Sequence, residues 1–254
     1  MTARDWAELI RPVLPHILKD KDFPQYAHVR IELGDRALYA VGGDGYTIGA
    51  ERRLLAPSER HQHMPPVHVW ASDAKASLAL FPFSKDDNPP LRVTIDDVPA
   101  IAEITGTETT WSSLGITLQS ADGQRLVMHD RRMPDRDHLA RWQFLLSAVL
   151  RRPPGAVLDG LSLSAVHLAK WRDAVRAGEV MRLYTGSKDD TAVLVTVEQH
   201  FAGLWMPVKG IDNRPPASLP WLGELAAAFD LRTASGLLVD PGTGEASSED
   251  EDAE

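Results

Sequence analysis

The order strand, helix, antiparallel strands occurs three times along the 254-residue chain, and this repetition constrains the fold more than any single motif does. The first copy covers residues 1–55 and lacks a clear leading strand, the second covers 66–142, and the third starts near residue 155. In each copy one helix can cover one face of its strands. The pattern therefore predicts an α+β fold of repeated strand–helix–antiparallel-strand units.

The first copy opens with a helical pattern and continues as a hairpin. Apolar residues recur on one side of residues 4–20, although Pro12 and Pro15 predict a kink or a tighter turn there. Residues 29–33 alternate apolar and polar side chains as a half-buried strand does. We expect Gly34 and Asp35 to reverse the chain, with Gly34 at positive φ.

The return strand leads into a glycine-rich corner at residues 42–46 and continues to Ile48. In the second copy, Ser72 or Asp73 is expected to cap a helix over 72–81. In the third copy, Ser164 is expected to cap a helix that reaches about Ala177. The remaining predicted elements are a helix over 139–150 and strands at 67–70, 91–95, 115–119, 125–129, 157–163, 180–184, 192–199 and 201–209.

Composition excludes several classes of protein. The chain has no cysteine, so it has neither disulfides nor thiolate metal sites. No apolar run approaches the roughly 20 residues of a membrane span, and the N-terminus lacks a signal-peptide pattern, which predicts a cytoplasmic protein without a membrane partner. The net charge is −9, and the last eight residues, SSEDEDAE, contribute five of the acids. The body is therefore near neutral and can still present a basic face to phosphate.

Candidates for metal binding and catalysis are weak. His61, His63 and His68 could suggest a metal site, but they lack a carboxylate or helical partner at ligand spacing, so an exposed loop is the favoured interpretation. Residues 42–45 do not form a phosphate-binding loop, because no Gly-Lys-Ser/Thr precedes a helix. No nucleophile elbow or dinucleotide fingerprint is present. We therefore expect a protein that is not an enzyme and that needs no cofactor.

Three stretches resemble signatures of the bacterial DNA polymerase III beta sliding clamp family. Residues 43–48, Gly-Asp-Gly-Tyr-Thr-Ile, are similar to that family's Thr-Asp-Gly-His-Arg-Leu corner and depart from it at Gly43, Tyr46 and Thr47. Residues 124–135 end in Met-Pro-Asp and resemble the strand and turn that close a clamp domain. Residues 204–209, Leu-Trp-Met-Pro-Val-Lys, look like the family's C-terminal Met-Pro strand.

The resemblance implies a domain organisation. Residues 1–142 would form one complete clamp-like domain with units at 1–55 and 66–142, and 143–210 a partial second domain of one unit plus a helix. Residues 211–254 would be a linker, a short apolar segment and an acidic disordered tail. Clamps of this family have six units per chain, and three are identified here.

The resemblance also implies a hydrophobic pocket that docks short peptides from polymerases and repair proteins. Its walls would come from the corner and from the Met-Pro strand, that is from Gly45, Tyr46, Thr47, Ile48, Met206, Pro207, Val208 and Lys209. The flexible thioether of Met206 suits such a site, although a core-facing methionine in a terminal strand is an equal alternative. The apolar segment with Trp221, Leu222 and Phe229 could serve as an internal ligand of that pocket.

Contact with duplex DNA is the second role that the resemblance implies. Non-specific sliding needs cations that reach phosphates without reading bases. The candidates on the three predicted helices, of which Arg172 and Arg176 should share one helix face, are Arg4, Arg11, Lys19, Lys75, Lys170, Arg172 and Arg176. The implied function is a homo-oligomeric processivity or scaffold factor that tethers polymerase or repair proteins to DNA. The alternative is a clamp-derived binding or regulatory module that does not encircle DNA.

Overall fold

The computed structural model describes residues 1–18, 22–23, 26–56, 64–104, 107–130, 137–151, 164–185 and 192–206. The chain divides into a unit Met1–Asp212 and a unit Asn213–Glu254, and every described residue belongs to the first. The predictions for residues 133–135, 157–163 and 211–254 lie outside the described residues.

In the first two copies, helices and strands follow one another in the order that the repeated pattern predicts, whereas the leading strand of the third copy lies outside the described residues. The helices in the described ranges are α1 Ala3–Ile10, α2 Ala71–Leu80, α3 Trp142–Leu150 and α4 Ala165–Leu168, with 3-10 helices at Leu14–His16 and Ala169–Ala174. None of these helices is long and apolar enough to cross a membrane. The strands are β1 His28–Leu33, β2 Ala37–Gly43, β3 Thr47–Leu54, β4 Val67–Trp70, β5 Leu91–Ile104, β6 Thr107–Ser120, β7 Arg125–His129, β8 Met181–Thr185, β9 Val193–Val197 and β10 Phe201–Trp205.

The strands form two antiparallel sheets. One has seven strands in the order β4-β1-β2-β3-β10-β9-β8, and the other has three in the order β5-β6-β7. The strands of the third copy therefore continue the sheet of the first copy through the β3–β10 pair. This mixture of helices and antiparallel sheets confirms the predicted α+β class.

Three glycines lie side by side across three strands and let helical segments approach the sheet closely. Gly49 is the register partner of both Gly42 on β2 and Gly203 on β10. A Cβ at Gly42 would lie 2.6 Å from the carbonyl oxygen of Val13, and a Cβ at Gly203 would collide with the ring of Trp171. The two 3-10 helices consequently rest almost on the backbone of this sheet, and Trp171 is fully buried there.

The first helix is shorter than predicted, because residues 4–20 do not form one kinked helix. α1 ends at Ile10, and the amides of Val13 and His16 then donate to acceptors three residues earlier, Ile10 and Val13. Pro12 and Pro15 have no amide hydrogen for an α-helical bond. The chain therefore tightens into the 3-10 helix Leu14–His16, which contains Pro15 and is the tighter turn that the prolines predicted.

Several local predictions were wrong in detail. Gly34 does not have positive φ, and the first hairpin instead closes with the Gly34 amide donating to the Ala37 carbonyl, so the reversal is centred on residues 35 and 36. α2 starts at Ala71 without a side-chain cap, because Trp70 occupies the N-cap position and Ser72, whose hydroxyl donates to Asp73, already lies inside the helix. Ser164 also makes no capping bond.

The helix predicted from residue 164 to about 177 is broken. Four α-helical residues, Ala165–Leu168, are followed by the 3-10 helix Ala169–Ala174, after which Val175 is extended. Arg172 and Arg176 therefore do not share a helix face, since Arg176 lies beyond the end of the helix. The buried rings of Trp171 and His16 lie 4.4 Å apart and pack against each other in the 3-10 segment.

Candidate functional site

The corner between β2 and β3 is a tight turn held by one carboxylate. Gly45 has φ of +88°, a value that favours glycine. Asp44 Oδ1 accepts hydrogen bonds from the amide of Tyr46 at 3.0 Å and from the amide of Thr47 at 2.7 Å. The turn residues after Asp44 are thus tied to its side chain, while Gly45 and Tyr46 remain exposed.

A cation from the third copy neutralises this carboxylate. Lys170 Nζ donates to Asp44 Oδ2, and the side chains of Lys170 and Asp44 are 16% and 4% exposed. Burial alone would raise the pKa of Asp44, but the bonds from Lys170 and from the Thr47 and Tyr46 amides outweigh it and hold the pKa below its usual range. The charged corner therefore depends on residues from two distant parts of the chain.

The Met-Pro stretch reaches the same corner. β10 pairs with β3 so that Trp205 is opposite Thr47, and the Met206 amide donates to the Tyr46 carbonyl oxygen at 2.9 Å. The side chains on either side of this bond are open to solvent, with Tyr46 63% and Met206 40% exposed. We call the exposed side chains of Tyr46, Met206 and α4 the docking surface.

α4 adds to the docking surface from the third copy. The rings of Tyr46 and His167 lie 5.6 Å apart, and Val166 and Leu168 beside His167 are exposed apolar residues. Burial, with Lys170 nearby, lowers the pKa of His167 although Asp44 opposes the shift, so this imidazole is neutral near pH 7. The sequence predicted a helix here but not its place beside Tyr46, because nothing in the local pattern connects the two stretches.

The predicted pocket residues have different environments. Gly45, Tyr46 and Met206 are exposed, Ile48 is half-buried, and Thr47 is buried. The Thr47 hydroxyl donates to Asp44 and lies 3.1 Å from Nδ1 of His16, so its side chain points away from solvent. Pro207, Val208 and Lys209 lie outside the described residues.

The predicted DNA-facing cations are also unequal. Arg4 and Arg11 both stand over the ring of Phe83, at 5.5 and 5.0 Å, and Lys75 and Arg172 are exposed. Arg176 and Lys170 instead make ion pairs with carboxylates of the first copy. Lys19 lies outside the described residues.

Arg176 belongs to a second buried charge cluster. Its Nη2 lies 3.1 Å from Glu51 Oε1, and His200 bridges Glu51 and Glu179 with separations of 3.0 and 3.1 Å. Burial raises the pKa of Glu51 to about 7, against the opposing effects of His200 and Arg176. The bond to Glu51 in turn raises the pKa of His200. The pair therefore retains a proton to higher pH than the isolated side chains would.

The predicted histidine loop is only partly described. His61 and His63 lie outside the described residues, whereas His68 is buried in β4 and not exposed. Its Nδ1 and Nε2 atoms lie 3.4 and 3.3 Å from carboxylates of Asp130 and Asp137. Among the residues that the structure describes, no group of three or more potential ligands could hold a metal ion.

An apolar cavity of about 400 Å³ lies elsewhere in the fold. Its walls include residues of β1, β2 and β5, among them Leu33, Leu38, Leu91, Val93 and Ile95. It shares no lining residue with the docking surface. The site that the motifs predict is therefore an exposed surface beside a tight turn and not this cavity.

No family model matches the chain, and no curated protein matches it. Several solved structures do. They include the beta subunit of DNA polymerase from Streptococcus pyogenes (13% identity, TM-score 0.51) and the DNA polymerase III beta subunit from Thermotoga maritima (10%, 0.54). A third is the DNA polymerase sliding clamp from Pseudomonas aeruginosa (13%, 0.50). Each match covers 83% of this chain, which spans 65–66% of the length of those proteins.

Proposed function

We propose that this chain, which has the fold of the bacterial DNA polymerase III beta sliding clamps, is a clamp-like factor of DNA replication or repair. It holds partner proteins on duplex DNA and carries out no reaction of its own. It works in the cytoplasm as a homo-oligomer, in which copies of the chain together surround a duplex.

The hydrogen bond between Met206 and Tyr46 is the observation that carries this proposal. It brings an exposed aromatic ring and an exposed thioether to one place from two distant stretches. Aromatic side chains supply large contact areas, and methionine adapts its shape to varied ligands. The docking surface is therefore suited to apolar side chains of a short partner peptide.

α4 gives this surface a polar group beside its apolar ones. Nδ1 of His167 is buried and has no hydrogen-bond partner in the part of the chain that the structure describes. A rotation of the His167 ring would bring this nitrogen to the surface, where a peptide that covers Tyr46 and Met206 can pair with it. The geometry thus favours a peptide with apolar anchors and a neighbouring hydrogen-bonding group.

Contact with DNA falls to the cations that are free of buried ion pairs. Arg4, Arg11, Lys75 and Arg172 have side chains that can reach phosphates. Stacking over Phe83 restricts Arg4 and Arg11, which reduces the entropy lost when they bind. Lys170 and Arg176 are left out of this proposal, because removing them from buried carboxylates would cost more than a phosphate contact returns.

The test is binding of the replicative polymerase subunit from the same organism to the purified chain. Met206→Asp places a charge on the docking surface, and we expect it to weaken binding at least about tenfold because the carboxylate must be desolvated. Leu54→Asp makes the same kind of change at a residue that is 64% exposed outside the docking surface, and it should leave binding unchanged. Equal binding by wild type and Met206→Asp would remove the pocket assignment.

The second candidate is a clamp-derived binding module that does not surround DNA. The net charge of −9 favours it, because a protein that surrounds a duplex needs a basic face toward the phosphates. Light scattering distinguishes the two, since a strict monomer at micromolar concentration defeats the ring. Retention on circular plasmid that is lost when the plasmid is cut would support encirclement, because a ring slides off free ends.

A further inference from the structure

We propose that Lys170 is a positioning residue for the docking surface, and not a DNA contact. This role rests on the proposed function, but the contacts that support it all lie within this chain. The Lys170 ammonium pairs with Asp44, whose side chain is 4% exposed. Asp44 in turn accepts the amides of Tyr46 and Thr47 through its other oxygen. One ion pair thus fixes the turn that presents Tyr46.

The same ion pair also joins the turn to the opposite side of the docking surface. Lys170 lies two residues after Leu168, the last residue of α4, and next to Trp171. Trp171 packs 4.4 Å from the ring of His16 and against Gly203, so the 3-10 helix that carries Lys170 cannot shift along the sheet without a collision. Trp171 therefore holds this helix in place, and the Lys170–Asp44 ion pair determines where the turn with Tyr46 lies relative to it.

Removal of the ammonium leaves Asp44 as an unpaired buried carboxylate. A buried ion that has lost its partner either takes up a proton or moves toward water, and both outcomes weaken the bonds that it accepts from Tyr46 and Thr47. The turn then loosens while the sheet below it remains paired. The loss is local, so it separates positioning from general destabilisation.

Amide hydrogen exchange tests this without any ligand. In Lys170→Met we expect the Tyr46 and Thr47 amides to exchange at least roughly tenfold faster, while amides of β1 and β2 keep their rates. Lys170→Arg keeps the cation and should restore most of the protection. Lys75→Met, a change of an exposed lysine on α2, should alter neither amide. Unchanged exchange at Tyr46 and Thr47 in Lys170→Met would overturn the inference.

A double variant tests the mechanism. Asp44→Asn keeps an acceptor oxygen for the two amides but carries no charge, so it no longer needs a cation. We therefore expect Asp44→Asn/Lys170→Met to protect the Tyr46 amide better than Lys170→Met alone. Protection that falls further in the double variant contradicts the role of charge neutralisation.

Two binding measurements connect the Lys170–Asp44 ion pair to the proposed function. Lys170→Met should weaken polymerase binding several-fold and should leave the affinity for a short DNA duplex unchanged. A loss of DNA affinity with intact exchange protection would assign Lys170 to phosphate and overturn the inference. If wild type does not bind polymerase at all, the proposed function fails, whereas the exchange result still decides the role of Lys170.

Discussion

Gly49 and His16 touch so closely that no side chain fits between them: a Cβ at Gly49 would lie 2.5 Å from Cδ2 of His16. The imidazole is fully buried, with Nδ1 facing the Thr47 hydroxyl and its ring against Trp171. This contact joins the 3-10 helix Leu14–His16 to the sheet directly below the corner. It therefore fixes the position of the β2–β3 corner relative to this 3-10 helix.

Gly49→Ala should destabilise the fold by about 1–3 kcal/mol, because the added methyl group forces the His16 ring to move. Urea unfolding measures this free energy. All three nearest atoms to the added Cβ belong to His16, so His16→Ala removes the collision. The double variant should be about as stable as His16→Ala alone, and strictly additive losses would show that the collision is not the cause.

His16 should make the protein sensitive to acid. Burial is the main cause that lowers the pKa of His16 to about 3, with the Lys170 and His167 charges in the same direction and Asp44 opposing them. Between about pH 6 and pH 4 the unfolded chain therefore binds a proton here that the folded chain does not. As the pH falls through this range, this group should lower the free energy of unfolding by roughly 1 kcal/mol per pH unit.

The measurement is urea unfolding of wild type and His16→Gln at several values between pH 4 and pH 7. Gln does not titrate, so the variant should lose stability less steeply than wild type as the pH falls. Other carboxylates and histidines contribute to both proteins, and they cancel in the difference. Parallel curves would mean that His16 takes up a proton in the folded state.

The Glu51–His200 pair should act in the opposite direction. The pKa of Glu51 is raised to about 7 and that of His200 is raised as well, so the folded pair keeps protons that the unfolded chain releases. Its contribution to stability is complete below pH 4.5 and is lost as the pH rises through 7. Arg176, Glu8 and Glu179 surround the pair and influence the pH at which this loss occurs.

Replacement of Glu51 by Gln isolates this effect. Wild type should lose stability more steeply than Glu51→Gln between pH 5 and pH 8 in urea unfolding. Glu198→Gln is a matched control, because Glu198 is partly exposed and its ion pair with Arg182 is long, at 3.6 Å. The control should follow the wild-type curve, and a Glu51→Gln curve that also follows it would refute the raised pKa.

DNA affinity should depend on Arg4 and Arg11. Each arginine that contacts a phosphate contributes about one unit to the slope of log affinity against log salt. The double variant Arg4→Ala/Arg11→Ala should bind a duplex more weakly and with a slope smaller by about two units. Arg182→Ala on β8 should change neither quantity, and an unaltered slope in the double variant would place the DNA elsewhere.

Local chemistry was the part of this fold that the sequence could predict. The Asp44-Gly45 corner, the strand at β4 and the β6–β7 hairpin follow from glycine, turn residues and alternation within a few positions. Predictions of this kind were wrong where packing overrides propensity. The helix predicted around Trp171 is instead a 3-10 helix. Gly203 and Gly49 leave room for the Trp171 indole and the His16 imidazole to pack directly on the sheet, and this packing overrides helix propensity.

Long-range pairs could not be predicted from the sequence. Lys170 looks like any lysine on a helix, and its partner Asp44 looks like a turn residue, so nothing local connects them. Glu51 and His200 are paired in the same way by strands distant along the chain. The motif resemblance suggested that Tyr46 and Met206 are neighbours, but the contribution of α4 required the coordinates.

Methyl NMR of the methionines tests the docking surface most directly. A peptide from the replicative polymerase of the same organism is titrated into the chain with labelled methionine methyl groups. We predict that the Met206 signal shifts saturably, while Met128, which is fully buried, keeps its position. A saturable shift at Met64 beside the apolar cavity with Met206 unchanged would contradict the account, as would binding that leaves every methionine signal in place.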